Sequence, residues 1–368
     1  MNKYIVAMFL TVITLPGIVQ LAGNATGALA NEKRALAAFP GFPTTLAALW
    51  KFPSAFASYY GDHFGLRPRL IRLHAVATYR LFGISPSDKV LVGRDGWLFY
   101  ADDSSLEDYR SLAPFTTAEM ERWQQVLEER QDWLAKRGAK QLIVFACDKH
   151  MIYPEFLPPG FNRTPGDYRV DQLAQFLQKN SRLSVVALRT SQGAGKQADR
   201  LYHRTDTHWN DRGAFVGYRE ILAALSMTPR EYVPVETVTD GWDLARMMGL
   251  ADIIHEEDRQ LQLREPRRAK IVEIDRPDPT WNVGRVALEV DDATLPRMVM
   301  FRDSFGSALV PFLAEHFSRS VFLWQYDFDP QVIEAEKPDV VIWLMTSRRL
   351  QWYVPINPPL PASYAKAN

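Results

Sequence analysis

The sequence predicts an α/β fold, a parallel β-sheet flanked by helices with an N-terminal arm and a mixed insertion. Three observations predict it. Apolar runs of strand length recur at Leu142–Cys147, Val185–Leu188, Met298–Phe301, Val321–Trp324 and Val340–Leu344, and such unbroken runs suit strands buried on both faces. Segments of helical period lie between them. The single cysteine, Cys147, excludes an internal disulfide framework and no Cys/His spacing suits structural zinc, so an ordinary core must hold the fold.

Composition narrows the function. A chain of 368 residues with 47% hydrophobic content is too apolar to be disordered over most of its length. With 43 Lys and Arg against 43 Asp and Glu there is no global positive field to hold a nucleic-acid backbone, and no basic patch is interleaved with aromatics.

The elements follow in order. After Lys3, the 19 residues Tyr4–Ala22 carry no charge and would span about 28 Å as a helix, enough to cross a bilayer. The run has no polar face, so it is not a buried amphipathic helix. Ala28-Leu29-Ala30 before Asn31 resembles a cleavage site, so residues 1–30 are a signal anchor or a signal peptide, and the remainder works outside the cytoplasm. From Asn31 to Leu66, Pro40, Pro43 and Pro53 among many aromatics predict an irregular arm, followed by a helix over Arg67–Leu81. Asp95-Gly96 before an apolar run predicts a hairpin within Gly93–Tyr100. Thr116 and Glu119 form a capping-box pair; Met120, Trp123, Leu127 and Leu134 share one helix face, which ends at Gly138. Further helices are expected at Val170–Lys179, Asp211–Leu225, Ser304–Phe317 and Pro330–Glu336. The polar stretch at about 229–294, rich in Arg and Pro, is expected to be an insertion with short strands within one domain spanning 31–368.

In an open α/β sheet, reactive groups collect beyond the carboxyl ends of the strands. Three such places carry reactive side chains: Asp148-Lys149-His150, Thr205–Asn210 and Arg302–Gly306. Ser304 sits at a strand-to-helix turn, where it is either a nucleophile beside helix amides or simply a helix N-cap. Asp206 and His208, two apart, would lie on the same side of an extended segment, carboxylate to Nδ1, leaving Nε2 as a base. His150 and His203 compete for the base role. Asp206, His208 and Asp148 offer metal donors, but without a spacing that enforces geometry, so neither metal nor other cofactor is expected. Cys147 ends an apolar run and reads as a buried small hydrophobe.

At these residues the sequence resembles the alginate O-acetyltransferase family, exported SGNH-hydrolase-like proteins that acetylate bacterial exopolysaccharides. The resemblance runs from about Asn31 onward and rests on the order of several short motifs. They are Asn31–Arg34, Asp62–Arg67, Gly93–Phe99, Ile152–Glu155, Asp206-Thr207-His208-Trp209, Asp243–Leu250 and Asp303-Ser304-Phe305. The Asp-x-His pair precedes the serine turn, a permuted order relative to ordinary SGNH hydrolases. The resemblance implies Ser304 as nucleophile, His208 as general base and Asp206 as its orienting acid, with Asp303 structural. It implies transfer of acetyl groups to an acidic or neutral exopolysaccharide through an acyl-serine, in the periplasm, beside the inner membrane. A multi-pass membrane acyltransferase supplying the acetyl groups is the implied partner. Arg302 stands where the family usually has glycine. Lys149, Trp209, Arg302 and Arg348, at strand ends or beside the trio, are candidates for a polysaccharide groove, Arg forks suiting uronate carboxylates. A carbohydrate esterase with the same trio, or a non-catalytic polysaccharide-binding subunit, remain alternatives.

Overall fold

A computed structural model describes residues 2–21, 35–278 and 280–361. These divide into two compact units, one made of the chain up to Ser87 with Ala245–Ala251, the other of Asp88–Leu244 and the chain from Asp252 onward. The cleavage-site motif Ala28-Leu29-Ala30 and the motif Asn31–Arg34 lie outside the described residues.

The first unit contains helices α1 (Asn2–Leu21), α2 (Leu46–His63) and α3 (Arg67–Phe82). Within α1, Lys3–Gln20 is long and apolar enough to cross a membrane. Helix α2 corrects the expectation of an irregular arm. Thr45 caps its start by accepting the Ala48 amide at 3.2 Å, and Pro53 lies inside it. Of the three prolines read as breakers, Pro40 and Pro43 precede this cap and only Pro53 falls within the helix.

The second unit carries the predicted alternation. Strands β1 (Val90–Val92) and β2 (Leu98–Tyr100) form the hairpin, with Asp95 and Gly96 at positive φ in the turn. After α4 (Ser105–Arg110) comes α5 (Thr117–Ala135), opened by a reciprocal capping box of Thr116 and Glu119. Then follow β3 (Lys140–Ala146), α6 (Lys149–Ile152), α7 (Arg169–Asn180), β4 (Val185–Ala187), α8 (Arg189–Gly195) and α9 (Asp211–Ala224). Next come β5 (Tyr232–Asp240), α10 (Asp243–Met247), of which only Asp243 and Leu244 belong to this unit, β6 (His255–Leu263), β7 (Lys270–Ile274), β8 (Arg285–Glu289) and β9 (Arg297–Arg302). The chain continues through α11 (Val310–Leu313), β10 (Arg319–Trp324), α12 (Pro330–Glu336) and β11 (Val340–Thr346).

Seven strands form the main sheet in the order β4-β3-β11-β9-β10-β8-β7. The first five run parallel, whereas β8 and β7 pair antiparallel at one edge, so the sheet is mixed rather than wholly parallel. Both antiparallel strands come from the stretch read as an insertion. Strand β7 is mostly exposed, so it carries no apolar run to betray it. The rest of that stretch is a ribbon of two nine-residue strands, β5 and β6, longer than expected.

Strand β11 is buried at every position, between β3 and β9. Its neighbours are equally apolar, as a strand covered on both faces requires. The expected helix Ser304–Phe317 is broken into a 3-10 turn (Ser304–Leu309), α11 and a second 3-10 turn (Ala314–His316). Pro311 has no amide to donate back to Ser307, and the Ser307 hydroxyl is bound to the Arg302 guanidinium at 2.9 Å.

Candidate active site

Strand β9 ends at Arg302, and the next residues turn sharply into the Ser304 segment. Asp303 makes that turn. Its Oδ1 accepts the Phe305 amide at 2.9 Å, and its Oδ2 accepts the Thr346 amide at 2.8 Å and hydroxyl at 2.6 Å. One carboxylate thus ties the ends of adjacent strands β9 and β11 together and caps the turn. Beneath it Arg302 is fully buried, donating to Ser307 Oγ, to the Asp303 carbonyl at 3.1 Å and to the Trp281 and Val283 carbonyls at 2.8 and 3.1 Å. A Cβ on Gly306 would meet Arg302 Cδ at 2.6 Å, so this close packing requires glycine there.

The other half of the site is the loop Leu201–Asn210, whose β-pairing among the described residues is an isolated bridge between Tyr202 and Trp209. Side chains from four directions hold it. The buried Lys149 ammonium, on the first residue of α6, donates to the carbonyls of His203 (3.0 Å), Arg204 (3.1 Å) and Asp206 (2.6 Å). From β6, buried Glu256 accepts the amides of Arg204 (2.7 Å) and Thr205 (3.0 Å) and the Thr205 hydroxyl (2.6 Å). Asp243, opening α10, accepts the Thr207 amide at 2.8 Å and hydroxyl at 2.6 Å. Asn210 caps α9 and donates to the Arg200 carbonyl at 2.8 Å. Glu256 carried no sequence signal, and Asp243 stood only at the head of a resemblance motif with no role attached to it; their partners lie 51 and 36 residues away.

These two halves meet. His208 Nε2 lies 2.8 Å from Ser304 Oγ, and His208 Nδ1 lies 2.6 Å from Asp206 Oδ1. The same Asp206 oxygen accepts the His208 amide at 2.9 Å, an Asx turn, so a tight turn rather than an extended segment brings the pair together. The Phe305 ring packs 5.0 Å from the imidazole. Burial disfavours charge on both members of the pair, yet mutual attraction and the short hydrogen bond outweigh it. Asp206 is held well below the usual carboxylate range and His208 is raised above its ordinary value. Asp243 is pushed up to about 6, by burial first and by the Asp206 charge second.

All four of the expected groove residues are internal. Lys149 is a prop for the loop; its burial lowers it to about 8. Trp209 is a core aromatic, 1% exposed, donating from Nε1 to the Phe305 carbonyl at 3.1 Å. Arg302 is at 0% exposure with its donors turned inward. These three side chains are engaged with internal partners rather than exposed at the surface. Arg348 is also buried, bound to Asp148 and Asp103 and stacked 5.6 Å over Phe305. Asp148 therefore pairs with Arg348 and is not part of the Asp206–His208 cluster. Asp206, His208 and Asp243 do bring ligand-type atoms within 4.8 Å of one another, but these atoms are engaged with each other and with Thr207. His150 is buried among Phe99 and Tyr109, and burial lowers it to about 4. His203 lies beside Glu256 and Asp258, so neither reaches Ser304 in place of His208.

The fold and this trio at the carboxyl ends of the strands define an SGNH-hydrolase-like α/β domain. The chain belongs to the family described as SGNH hydrolase-like domain, acetyltransferase AlgX, whose model matches residues 90–325. It is similar to the probable alginate O-acetylase AlgJ of Pseudomonas syringae pv. tomato, 28% identical over 220 residues, 58% of this chain and 54% of that protein. The AlgJ of Pseudomonas aeruginosa is 26% identical over 189 residues, 50% of this chain and 45% of that protein. The chain thus spans about half the length of these curated relatives. In fold it is similar to Bacillus cereus PatB1, solved with a sulfonyl adduct, at a TM-score of 0.51 and 15% identity over 71% of this chain and 95% of that one. A DHHW family protein from Eubacterium siraeum gives 0.50 and 15% over 72% and 92%.

Proposed function

We propose that this protein is an O-acetyltransferase that moves acetyl groups onto hydroxyls of an exported bacterial polysaccharide, alginate or a similar polymer. The observation that carries the reading is the 2.8 Å hydrogen bond between Ser304 Oγ and His208 Nε2, with Asp206 behind the imidazole. Family membership and the names of the AlgJ relatives support it.

In this mechanism His208 takes the Ser304 proton as the oxygen attacks the donor's acetyl carbonyl, and then returns it to the leaving group. A sugar hydroxyl, deprotonated by the same nitrogen, attacks the acyl-serine and releases Ser304. Asp206 stabilises the imidazolium at each transfer. The Phe305 and Gly306 amides already donate to Asp303 at 2.9 and 3.2 Å, so the amide of Ser304 itself is the backbone donor for the oxyanion. Helix α1 fits a membrane anchor, with the catalytic unit in the periplasm and a multi-pass acyltransferase as acetyl source.

Positioned acid–base catalysis is worth about 10² to 10⁴ in rate, so Ser304→Ala and His208→Ala should each abolish nearly all turnover. The test incubates the protein with a chromogenic acetyl ester and an alginate oligosaccharide and locates the acetyl group by mass spectrometry. Acetylated sugar that disappears in both variants bears the proposal out. Acetate alone makes the protein an esterase, and unchanged acetylation by either variant removes the trio from the mechanism.

A further inference from the structure

Asp243 stands behind the base in a position that the acid–base trio does not explain. Its Oδ2 accepts the Thr207 hydroxyl at 2.6 Å and its Oδ1 accepts the Thr207 amide at 2.8 Å. The same Thr207 hydroxyl oxygen lies 3.1 Å from His208 Nδ1, on the side that faces Asp206. With its proton committed to Asp243, this oxygen has a lone pair toward the imidazole N–H, which Asp206 Oδ1 also accepts at 2.6 Å. The Nδ1 side of His208 therefore faces two acceptors, one a carboxylate and the other a hydroxyl polarised by a second carboxylate.

We propose that Asp243 is a positioning residue for the base: through Thr207 it locks the Asp206–His208 turn and keeps the imidazole N–H turned inward, so that Nε2 stays on Ser304. The inference rests on the acyl-serine reading only for its consequence in turnover; the orientation of His208 stands apart from the reaction. Asp243 also adds negative charge near the ring. The other charged groups around His208 are Asp206, on the same loop, and Arg348, whose cation opposes protonation from the segment after β11. Lys149 and His203 face Asp206 from behind. Above about pH 6, where Asp243 is ionised, removing its charge from this set lowers the proton affinity of His208.

The variants are Asp243→Asn, which keeps the shape and drops the charge, and the pair Thr207→Val and Thr207→Ser, which removes the hydroxyl and restores it. In the full chain in detergent micelles, the His208 titration is followed by NMR of histidine-labelled protein, with the resonance assigned from its loss in His208→Gln. Turnover of a chromogenic acetyl ester is measured against pH in parallel. Asp243→Asn should move the His208 titration and the acid limb of kcat/KM to lower pH by about half a unit or more. It should lower kcat about tenfold with KM little changed, less than loss of the base itself. Thr207→Val should lower kcat similarly and Thr207→Ser should restore it. A His208 titration and kcat unchanged in Asp243→Asn would overturn the proposal, as would full activity in Thr207→Val. Should wild type turn over no ester while the NMR titration still shifts, the acyl-serine reading fails and the assignment of Asp243 stands.

Discussion

The two halves of the site are held by different means. Ser304 is placed by the sheet: it follows β9, and Asp303 links the ends of β9 and β11. His208 is placed by buried charge. Its loop has no strand of its own and hangs on Lys149, Glu256, Asp243 and the Asn210 cap. The nucleophile thus inherits the rigidity of a central strand, whereas the base depends on ions whose burial costs energy unless every partner is present. The difference predicts where the site breaks first.

Lys149→Met should have the largest effect. Three carbonyls lose their shared donor, at about 1–3 kcal/mol each, offset in part by removal of a buried charge. Stability should fall by about 4 kcal/mol in urea unfolding, and kcat should fall more than KM changes, since the carbonyl of Asp206 itself is released. A stable variant with normal kcat would show that the loop needs no ionic support.

Glu256→Gln sharpens the same contrast through pH. Burial works to raise Glu256, but His203, Thr205 and Arg200 outweigh it and bring it down to about 2 from an ordinary 4.5. A folded-state value below the unfolded one gives stability that is present above about pH 4.5 and is lost as pH falls toward 2. That loss should be about 3 kcal/mol in wild type, and acid unfolding of Glu256→Gln should lack it. Parallel acid curves for the two proteins would contradict the assignment.

Asp303→Asn, in the half held by the sheet, should cost less. The amide keeps one acceptor oxygen and gives up the other, weakening one of the links to Phe305 and Thr346 at about 1–2 kcal/mol. Thermal melts that rank this variant below Lys149→Met would reverse the comparison.

The same contrast explains what could be read from the sequence. The sheet half is local and apolar. The runs that became β3, β9, β10 and β11 lie within residues of their expected bounds, and the Asp303-Ser304 turn follows directly from one of them. The capping box at Thr116 and the spacing of Asp206 and His208 are equally local. The base loop's supports are polar residues far away along the chain. Glu256 sits in a ribbon that showed only as Arg-rich polar sequence, and nothing near it points to Thr205. Charge misled in the same region: Arg302, Lys149 and Arg348 look like surface cations in a sequence, yet each is internal because carbonyls or carboxylates surround it. Helix α2 was obscured by proline content, although two of the three prolines precede its cap.

The strand order has one more consequence. Strand β11 lies between β3 and β9, and the residues after it bind Asp148 through Arg348. Asp303, beside Ser304, accepts both the amide and the hydroxyl of Thr346 at the end of that strand. Strand β11, the last of the described strands in the chain, thus lies inside the sheet and fixes the turn that bears Ser304.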